Sequence, residues 1–307
     1  MEDAVTSLGK CLAIANPQAK HGVTSTVLPA VRQLLDGVID YEMVLSQAPQ
    51  DAARIAREIT GVDTVIAVGG DGTVHEVLNG LMSRPAHDRP AMTLLPTGSG
   101  NDYRRTLGIA TDLSTAVRQI AGGVRKRMDV GTVNGTYFAN SLSIGMDARV
   151  TAKAVELKVT TGWSGLPLYL RALMYVLFKQ LYPHHVSVSM DGAEPHDLDM
   201  LLVAFTNGPT YGGGFFITPD AAGDDGQLDM CLIDPLPLAE ALWRLPFVIA
   251  GKHTRMRPVH MSRHTHVLLT SETPIEGQVD GETMLERSYD IGVLPAAVEV
   301  IVPAERR

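Results

Sequence analysis

Short apolar runs alternate with helix-length amphipathic segments through the first half of the chain. The apolar runs are CLAIA, YEMVL, DTVIAV and AMTLLP, and segments such as VLPAVRQLL and DAARIAREI lie between them. Strands that alternate with helices form a parallel sheet, because a crossover is needed to bring the chain back to the same end of the sheet. The first half therefore predicts an α/β domain.

After about residue 130 the pattern changes to short runs in which apolar and polar residues alternate, such as RMDVGTV, HVSVSM and AVEVIVP. This period is typical of strands with one buried face, and Asn134-Gly135 and Asp191-Gly192 are strong signals for hairpin turns. We predict an α/β plus β chain: a parallel-sheet α/β domain over residues 1–130 and an antiparallel β-rich domain over residues 131–296.

Charge and cysteine content limit the class of protein. The formal net charge at pH 7 is −8, whereas binding along a nucleic acid needs a broad excess of Lys and Arg, so we expect no nucleic-acid partner. Cys11 and Cys231 form no CxxC motif, which favours a reducing compartment. The start, MEDAVTSLGKCLAIANP, carries acids where a signal peptide would be basic. We therefore expect a cytoplasmic protein.

The glycine loop GGDGT, Gly69 to Thr73, lies where a predicted strand ends and a helix begins. Backbone N–H groups at a helix N-terminus form an anion site when no side chain obstructs them. The loop is neither a Walker loop nor the Rossmann pattern GxGxxG. Two interpretations are open: a phosphate-binding loop, or a simple helix cap made by Asp71 or by a capping box from Thr73 to Glu76.

A second glycine loop, LLPTGSGNDYRRTLG, repeats the order of strand, glycine loop, polar residues and helix. The carboxyl ends of parallel strands lie at one edge of a sheet, where ligands bind. We therefore expect both loops to line one site. The polar residues expected there are Ser99, Asn101 and Asp102, with Asn16 after the first strand and Ser46 after the second.

Two loops in the second half carry acids. The segment TNGPTYGGGFFITPDAAGDDGQLDM contains Asp220, Asp224 and Asp225, and the segment VDGE contains Asp280 and Glu282. Taken singly, the first also fits a flexible surface loop and the second a hairpin turn. Four loops of this composition in one chain favour a binding or catalytic role.

The ordered set of motifs resembles the diacylglycerol kinase catalytic-domain family, which includes bacterial lipid kinases and the sphingosine and ceramide kinases. The matching segments, in family order, are NPQAKHG, GGDGTVHEVLNGL, LPTGSGNDYRRTLGI, MDVG, FANSLSIGMDARV, NGPTYGGG, PDAAGDDGQLD and VDGE. GGDGT alone is a weak signal, but the set covers nearly the whole chain. The chain departs from the family at Ala19 and Lys20, where Ser or Thr and then Gly are common, and at His75, where Asn is usual.

The resemblance implies a nucleotide-binding domain and a β-rich domain that meet at a cleft, with the last strand, residues 297–302, returning to the first domain. It implies ATP as phosphoryl donor and a lipid hydroxyl as acceptor. The residues assigned to ATP are Ser46, Gly70, Asp71, Gly72, Thr73, Val74, His75, Glu76 and Ser99, with Asn16, Gly69, Asn101 and Asp102 in the same loops. A structural Mg²⁺ is implied at Asp225 and the backbone carbonyls of Ala222 and Gln227, and catalytic acids at Asp280 and Glu282.

Asp71 needs an explanation, because a carboxylate beside phosphate oxygens is repulsive. It is tolerable if it holds the Mg²⁺ that accompanies ATP, since this ion prefers oxygen ligands and keeps several waters. We therefore expect Asp71, together with Asp102, to hold the ion directly or through water. Asp280 is the expected base for the acceptor hydroxyl, with Glu282 as the alternative.

Two segments suggest contact with a membrane. Residues 252–271 include basic residues and no acids, and the segment from Trp163 to Tyr182 is apolar on most of a predicted helix. The first fits a solvated face equally well, and the second fits burial in the β-rich domain. We expect transient, peripheral contact with the inner membrane surface.

The sequence thus predicts an ATP- and Mg²⁺-dependent lipid kinase that converts diacylglycerol to phosphatidic acid. The alternatives are a kinase for another lipid, such as a sphingoid base or phosphatidylglycerol, an NAD kinase, and a non-catalytic nucleotide-binding module. The acceptor and the oligomeric state, a homodimer included, are left open.

Overall fold

The computed structural model describes residues 8–17, 23–163 and 165–304. The chain divides into two compact units: unit 1 is Met1–Met128 with Ala296–Arg307, and unit 2 is Asp129–Pro295. Ala19 and Lys20, where the sequence departs from the family pattern, lie outside the described residues.

Unit 1 is built on a parallel sheet. Its strands are β1 (Cys11–Ala15), β2 (Tyr41–Leu45), β3 (Thr64–Gly69), β4 (Ala91–Pro96) and the end of β14 (Glu282–Val302). The strand order is β14–β4–β3–β1–β2, with every pair parallel. Its helices are α1 (Val23–Leu35), α2 (Asp51–Glu58), α3 (Asp71–Met82), α4 (Asp102–Thr106) and α5 (Leu113–Ala121), with a 3₁₀ turn at Ala86–Asp88. The predicted parallel α/β arrangement is confirmed.

The sequence explains the burial of these elements. Every residue of β1, β3 and β4 is buried, as unbroken apolar runs predict for strands enclosed on both faces. β2, at the end of the strand order, is more exposed. In α3 the apolar residues recur at helical spacing, and those that are buried include Val74, Val77, Leu78 and Leu81. The helix that follows GGDGT is therefore fixed by its apolar face.

Unit 2 is an antiparallel β structure with helices packed on it. Its strands are β6 (Thr136–Phe138), β7 (Ser141–Gly145), β8 (His184–Met190), β9 (His196–Met200), β10 (Leu202–Thr206), β11 (Leu228–Ile233), β12 (Val259–His264) and β13 (His266–Val279). β5 (Val124–Val133) and β14 run through both units. The order is β12–β11–β10–β7–β13–β14, and β8 pairs with β13 and β9. The predicted antiparallel domain is confirmed.

Hairpin turns lie where the sequence predicts them. Asn134 and Gly135 join β5 to β6, and Asp191 and Gly192 begin the connection from β8 to β9. All four residues have positive φ, between 48° and 83°, which Asn, Asp and Gly adopt most readily. The acidic segment VDGE is also a hairpin: Asp280 and Gly281 have φ of 47° and 97° between β13 and β14.

The segment from Trp163 to Tyr182 contains the whole of helix α7 (Leu166–Lys179), which follows α6 (Met146–Thr161). Ala172 and Val176 are buried in a core that α6, α7 and α8 (Leu238–Ile249) share with β10 and β11. Tyr175 and Phe178 on the same helix are exposed. The helix is therefore buried along one face and exposes aromatic rings on another. Within the described ranges, the helices all lack the length and hydropathy needed to cross a membrane.

Candidate active site

The segments that follow the parallel strands of unit 1 lie at one edge of its sheet. The end of β1 is opposite the ends of β2 and β3, and the end of β3 is opposite the end of β4. Asn16 follows β1, Ser46 follows β2, the loop from Gly70 follows β3 and the loop from Thr97 follows β4. The residues assigned to ATP are thus brought to one edge, while their roles stay predictions.

The two glycine loops are in direct contact. The backbone N–H groups of Thr97 and Gly98 donate to the Gly69 carbonyl at 2.9 and 3.1 Å. A Cβ on Gly98 would lie 2.3 Å from the Cα of Gly70, so this approach requires glycine at position 98. The side chain of Asn101 closes the second loop, because its amide accepts from the Gly98 N–H and donates to the Gly98 carbonyl.

Asp71 stands at the start of α3 but binds the next helix. One of its carboxylate oxygens accepts a hydrogen bond from the Tyr103 N–H, in the first turn of α4, at 3.2 Å. The other oxygen lies 2.8 Å from the position that a Cβ on Gly100 would take, and an oxygen of Asp102 lies 3.6 Å from that position. Asp102 also pairs with Arg105. Two carboxylates therefore converge on space that a side chain at position 100 would fill.

The alternative interpretation of Thr73 to Glu76 as a capping box does not fit the structure, in which the N-cap of α3 is Gly70. α3 begins at Asp71, so Thr73 lies inside the first turn rather than at the N-cap. Glu76 instead accepts a hydrogen bond at 3.1 Å from the Ala52 N–H, in the first turn of α2. The first N–H groups of a helix lack intrahelical partners, so an acid on a neighbouring helix can satisfy them.

The other residues assigned to ATP differ in exposure. The side chains of Thr73, Val74 and His75 are buried. The backbone N–H groups of Thr73 and Val74 donate to the Gly70 carbonyl at 3.0 and 3.1 Å, and the part of these residues in ATP binding stays a prediction. Ser99 is partly exposed in the second loop, and Ser46 is buried.

The positively charged side chain of Arg263, on β12, lies beside the loop assigned to a structural Mg²⁺. Arg263 lies 3.4 Å from a carboxylate oxygen of Asp225 and 3.1 Å from one of Asp229. The other oxygen of Asp225 accepts the Gln227 N–H. No group of three or more His, Cys, Asp and Glu side chains suited to a metal occurs in the parts of the chain that the structure describes. The expected site also uses the backbone carbonyls of Ala222 and Gln227, which are not side-chain ligands, so the structural Mg²⁺ stays a prediction.

The acidic turn holds its two carboxylates differently. Asp280 accepts backbone hydrogen bonds from Ala139, Asn140 and Ser141 at 2.8, 3.0 and 2.9 Å. Glu282, the first residue of β14, is exposed. Asp280 thus anchors the turn to the start of β7, and Glu282 is the carboxylate that the turn presents to solvent.

Unit 2 also contains an apolar pocket with a cavity volume of about 100 Å³, which is partly open to solvent. Asp147 and Tyr211 bring polar atoms into this lining, and Ser143 donates a hydrogen bond to Asp147 at 2.6 Å. Burial raises the pKa of Asp147 to about 6. The apolar lining includes Met146, Val150, Leu173, Leu177, Leu245 and Val248.

Sequence reasoning missed Asp147, although a signal was present. In the segment SLSIGMDARV the acid is flanked by small and apolar residues, where burial is expected. Arg263 could not be found in this way, because its partners lie on a different strand and loop. The pocket itself arises from helices and strands that are distant in sequence.

Two family models match the chain. The diacylglycerol kinase catalytic domain matches residues 10–133, and the "YegS C-terminal NAD kinase beta sandwich-like domain" matches residues 140–302. A Bacillus subtilis protein named "Diacylglycerol kinase" is 30% identical over 260 residues, which cover 83% of this chain and 84% of that protein. A Yersinia pestis protein named "Probable lipid kinase YegS-like" is 29% identical over 288 residues, covering 92% of this chain and 94% of that protein.

Among solved structures, the chain is also similar to a diacylglycerol kinase. A diacylglycerol kinase from Bacillus anthracis has a TM-score of 0.79 and 26% identity, covering 97% of this chain and 98% of that one. An NAD kinase from Archaeoglobus fulgidus, with 12% identity and a TM-score of 0.51, is similar in fold alone. The fold, the glycine loops and the matches define an enzyme of the kinase class. The chain belongs to the family of diacylglycerol kinases and YegS-like lipid kinases.

Proposed function

We propose that this kinase transfers the γ-phosphoryl group of ATP, with Mg²⁺, to the free hydroxyl of a diacylglycerol and so forms phosphatidic acid. The observation that carries the proposal is the apolar pocket of unit 2. Each methylene buried in such a pocket contributes about 0.8 kcal/mol, so the lining suits an acyl chain better than a polar acceptor. The name of the Bacillus subtilis relative supports diacylglycerol over other lipids.

The glycine loops of unit 1 are the proposed site for the phosphates of ATP. The N–H groups in the first turn of α3 and the positive end of its dipole favour anions. Gly70 and Gly98 keep the backbone free of side chains at the point of contact between the loops. Asn16, Ser46 and Ser99 lie around this edge as further polar contacts.

Asp71 and Asp102 suit a magnesium ion that arrives with ATP. Their oxygens converge on one small space, and carboxylate oxygen is the ligand that this ion prefers. When bound, the ion would neutralise charge on the phosphoryl oxygens. Two carboxylates leave the remaining positions to phosphate oxygens and water.

Glu282 is the proposed base, and Asp280 positions it. A base must be able to reach the acceptor hydroxyl, and Glu282 is the exposed member of the pair. Asp280 is engaged by three backbone N–H groups, which fix the turn that carries Glu282.

The test is a phosphotransfer assay with radiolabelled ATP and a panel of acceptors. The panel contains diacylglycerol, sphingosine and phosphatidylglycerol in mixed micelles, and NAD in solution. Glu282→Gln serves as the inactive control. We expect the highest kcat/KM for diacylglycerol. A higher value for sphingosine or phosphatidylglycerol would overturn the acceptor, and transfer to NAD alone would overturn the lipid kinase proposal.

A further inference from the structure

A chain of three hydrogen bonds, of which the middle one is buried, joins the acidic turn to the apolar pocket within unit 2. The Gly281 N–H donates to the side-chain carbonyl of Gln278 at 2.7 Å, and the Gln278 amide donates to the Ser143 hydroxyl at 3.0 Å. Ser143 donates in turn to the Asp147 carboxylate at 2.6 Å. Ser143 and Gln278 are buried. Water therefore has little access to the middle of this chain.

The direction of the chain follows from its ends. A backbone N–H can only donate, so the carbonyl end of Gln278 faces Gly281 and its NH₂ group faces Ser143. The single hydroxyl proton of Ser143 then goes to Asp147. Every donor points toward the carboxylate, and hydrogen bonds aligned in this way strengthen one another in a low-dielectric interior.

The backbone makes this alignment rigid. Gln278 on β13 and Ser143 on β7 are direct partners in the antiparallel register, so their side chains leave the sheet on the same face. Gln278 is two residues before Asp280 and pairs across the hairpin with Thr283, next to Glu282. A shift of these hydrogen-bonded side chains would therefore move the turn that carries Glu282.

Asp147 has no need to be charged for the turn to form. Gln278 alone satisfies the Gly281 N–H, and a buried carboxylate in an apolar pocket costs free energy. The hydrogen bonds that continue from Gln278 through Ser143 to Asp147 are therefore not needed to fold the hairpin, which indicates another role for them. Water that entered the pocket would compete with Ser143 and Tyr211 for Asp147. An acyl chain would exclude such water and strengthen the remaining hydrogen bonds.

We propose that Asp147, Ser143 and Gln278 form a positioning relay through which a lipid in the pocket fixes the turn that carries Glu282. This inference rests on the proposed lipid acceptor. It makes the three residues positioning residues rather than catalytic ones, because they act through the turn. It also gives an acceptor that fills the pocket a faster chemical step than an acceptor that leaves it open to water.

The test compares long-chain with short-chain diacylglycerol in the wild type, in Ser143→Ala and in Asp147→Asn. We expect the ratio of the two kcat values to fall about fivefold in Ser143→Ala, the effect of losing one hydrogen bond, with KM for the long-chain acceptor nearly unchanged. Asp147→Asn keeps an acceptor for Ser143 without the charge and should lower the ratio less.

Thr206→Val is the matched control. It removes another buried hydroxyl, bonded at 2.6 Å to Thr218, outside the relay. This variant should lose stability and keep the wild-type kcat ratio. If the ratio in Ser143→Ala also matches the wild type, the relay is wrong and the lipid kinase proposal stands. If the wild type phosphorylates neither diacylglycerol, both proposals are wrong.

Discussion

Asp280 and Glu282 are two residues apart on one hairpin, and the fold uses their carboxylates in different ways. The three N–H donors to Asp280 come from consecutive residues, so its carboxylate acts as a clamp on the backbone before β7. Glu282, by contrast, is exposed to solvent. A comparison of isosteric amides at the two positions separates the two roles.

Glu282→Gln should lower kcat by on the order of 10² or more, because the amide cannot accept the acceptor's proton. Its melting temperature should stay near that of the wild type. Asp280→Asn should lower kcat as well, and in addition the free energy of unfolding by about 1–3 kcal/mol, since its NH₂ group cannot accept a backbone N–H. Steady-state kinetics and urea unfolding measure both effects. A stable Asp280→Asn variant with the larger kcat defect would assign the base to Asp280.

Asp147 makes stability depend on pH. Its pKa is raised from 3.8 to about 6 by burial, so between these values the folded state holds a proton that the unfolded state has released. The free energy of unfolding should therefore fall as pH rises from about 4 to 6 and level off above. Asp147→Asn removes this term and should be more stable than the wild type at pH 7, by about 3 kcal/mol, with little difference at pH 4.

Urea unfolding of both proteins across this pH range measures the effect. Asp112→Asn is the contrasting control, because Asp112 caps α5 and its hydrogen bonds to Thr115 lower its pKa. The stability that Asp112 contributes is present above about pH 4 and is lost as pH falls through its folded pKa, so its replacement should destabilise at neutral pH. A wild type whose stability is flat from pH 4 to 6 would contradict the assignment to Asp147.

At the scale of elements, the sequence predicted the order of strands and helices. It did not predict the side-chain hydrogen bonds that one helix makes to the start of another. Apolar periodicity and the turn dipeptides are local signals, and they correctly gave the parallel half, the antiparallel half and the hairpins. The bond from Asp71 to α4 and the bond from Glu76 to α2 join elements that a local pattern cannot relate. The same is true of Arg263 with Asp225 and Asp229. The pocket and the relay depend on pairing of distant strands.

Contact between the glycine loops should limit substitution there. Gly98→Ala would place a Cβ 2.3 Å from the backbone of Gly70, so the two loops must separate. We expect KM for ATP to rise about tenfold or more, and the melting temperature to fall. Gly122→Ala is the control, since its Cβ would lie 3.6 Å from the Arg118 carbonyl in ordinary contact. Unchanged KM in Gly98→Ala would mean that this contact is unimportant for ATP.

The loop around Asp225 should depend on Arg263. The guanidinium balances Asp225 and Asp229, and burial raises the pKa of Asp229. Arg263→Gln should lower the melting temperature, because it leaves a buried carboxylate without its cation. Wild-type melting without nucleotide, compared in Mg²⁺ and in EDTA, tests whether the loop also holds a structural ion. A clear rise with Mg²⁺ that is lost in Asp225→Ala would support the structural ion.

For the whole molecule, exposed aromatic side chains on unit 2 accompany the basic segment 252–271. Trp243 on α8 is 62% exposed and Phe178 on α7 is 55% exposed. Lys252, Arg255 and Arg257 are exposed as well, whereas Arg263 pairs with acids. Aromatic rings and cations together suit the interface of an anionic bilayer, where each cation contributes about 1 kcal/mol.

The protein should therefore co-sediment with anionic vesicles and not with zwitterionic ones, and raised salt should release it. Arg255→Glu combined with Arg257→Glu should weaken binding without a change in melting temperature, and Trp243→Ala should weaken it further. Arg57→Glu changes the charge equally per site on an exposed helix of unit 1 and serves as control. Equal sedimentation with both vesicle types would mean that segment 252–271 is an ordinary solvated face rather than a membrane-binding one.

The strand β14 has a consequence for synthesis of the protein. It runs from the acidic turn to the parallel sheet, where the hydroxyl of Thr93 on β4 donates to the carbonyl of Ile301. These residues are 208 positions apart, so a ribosome that adds about 5–20 residues per second makes the partner of β4 roughly 10–40 s after β4 itself. During that time the edge of β4 has unpaired N–H and C=O groups, which are prone to pair with other chains. The nascent unit 1 must therefore wait for the last strand, and a chaperone that shields strand edges would help it most in this interval.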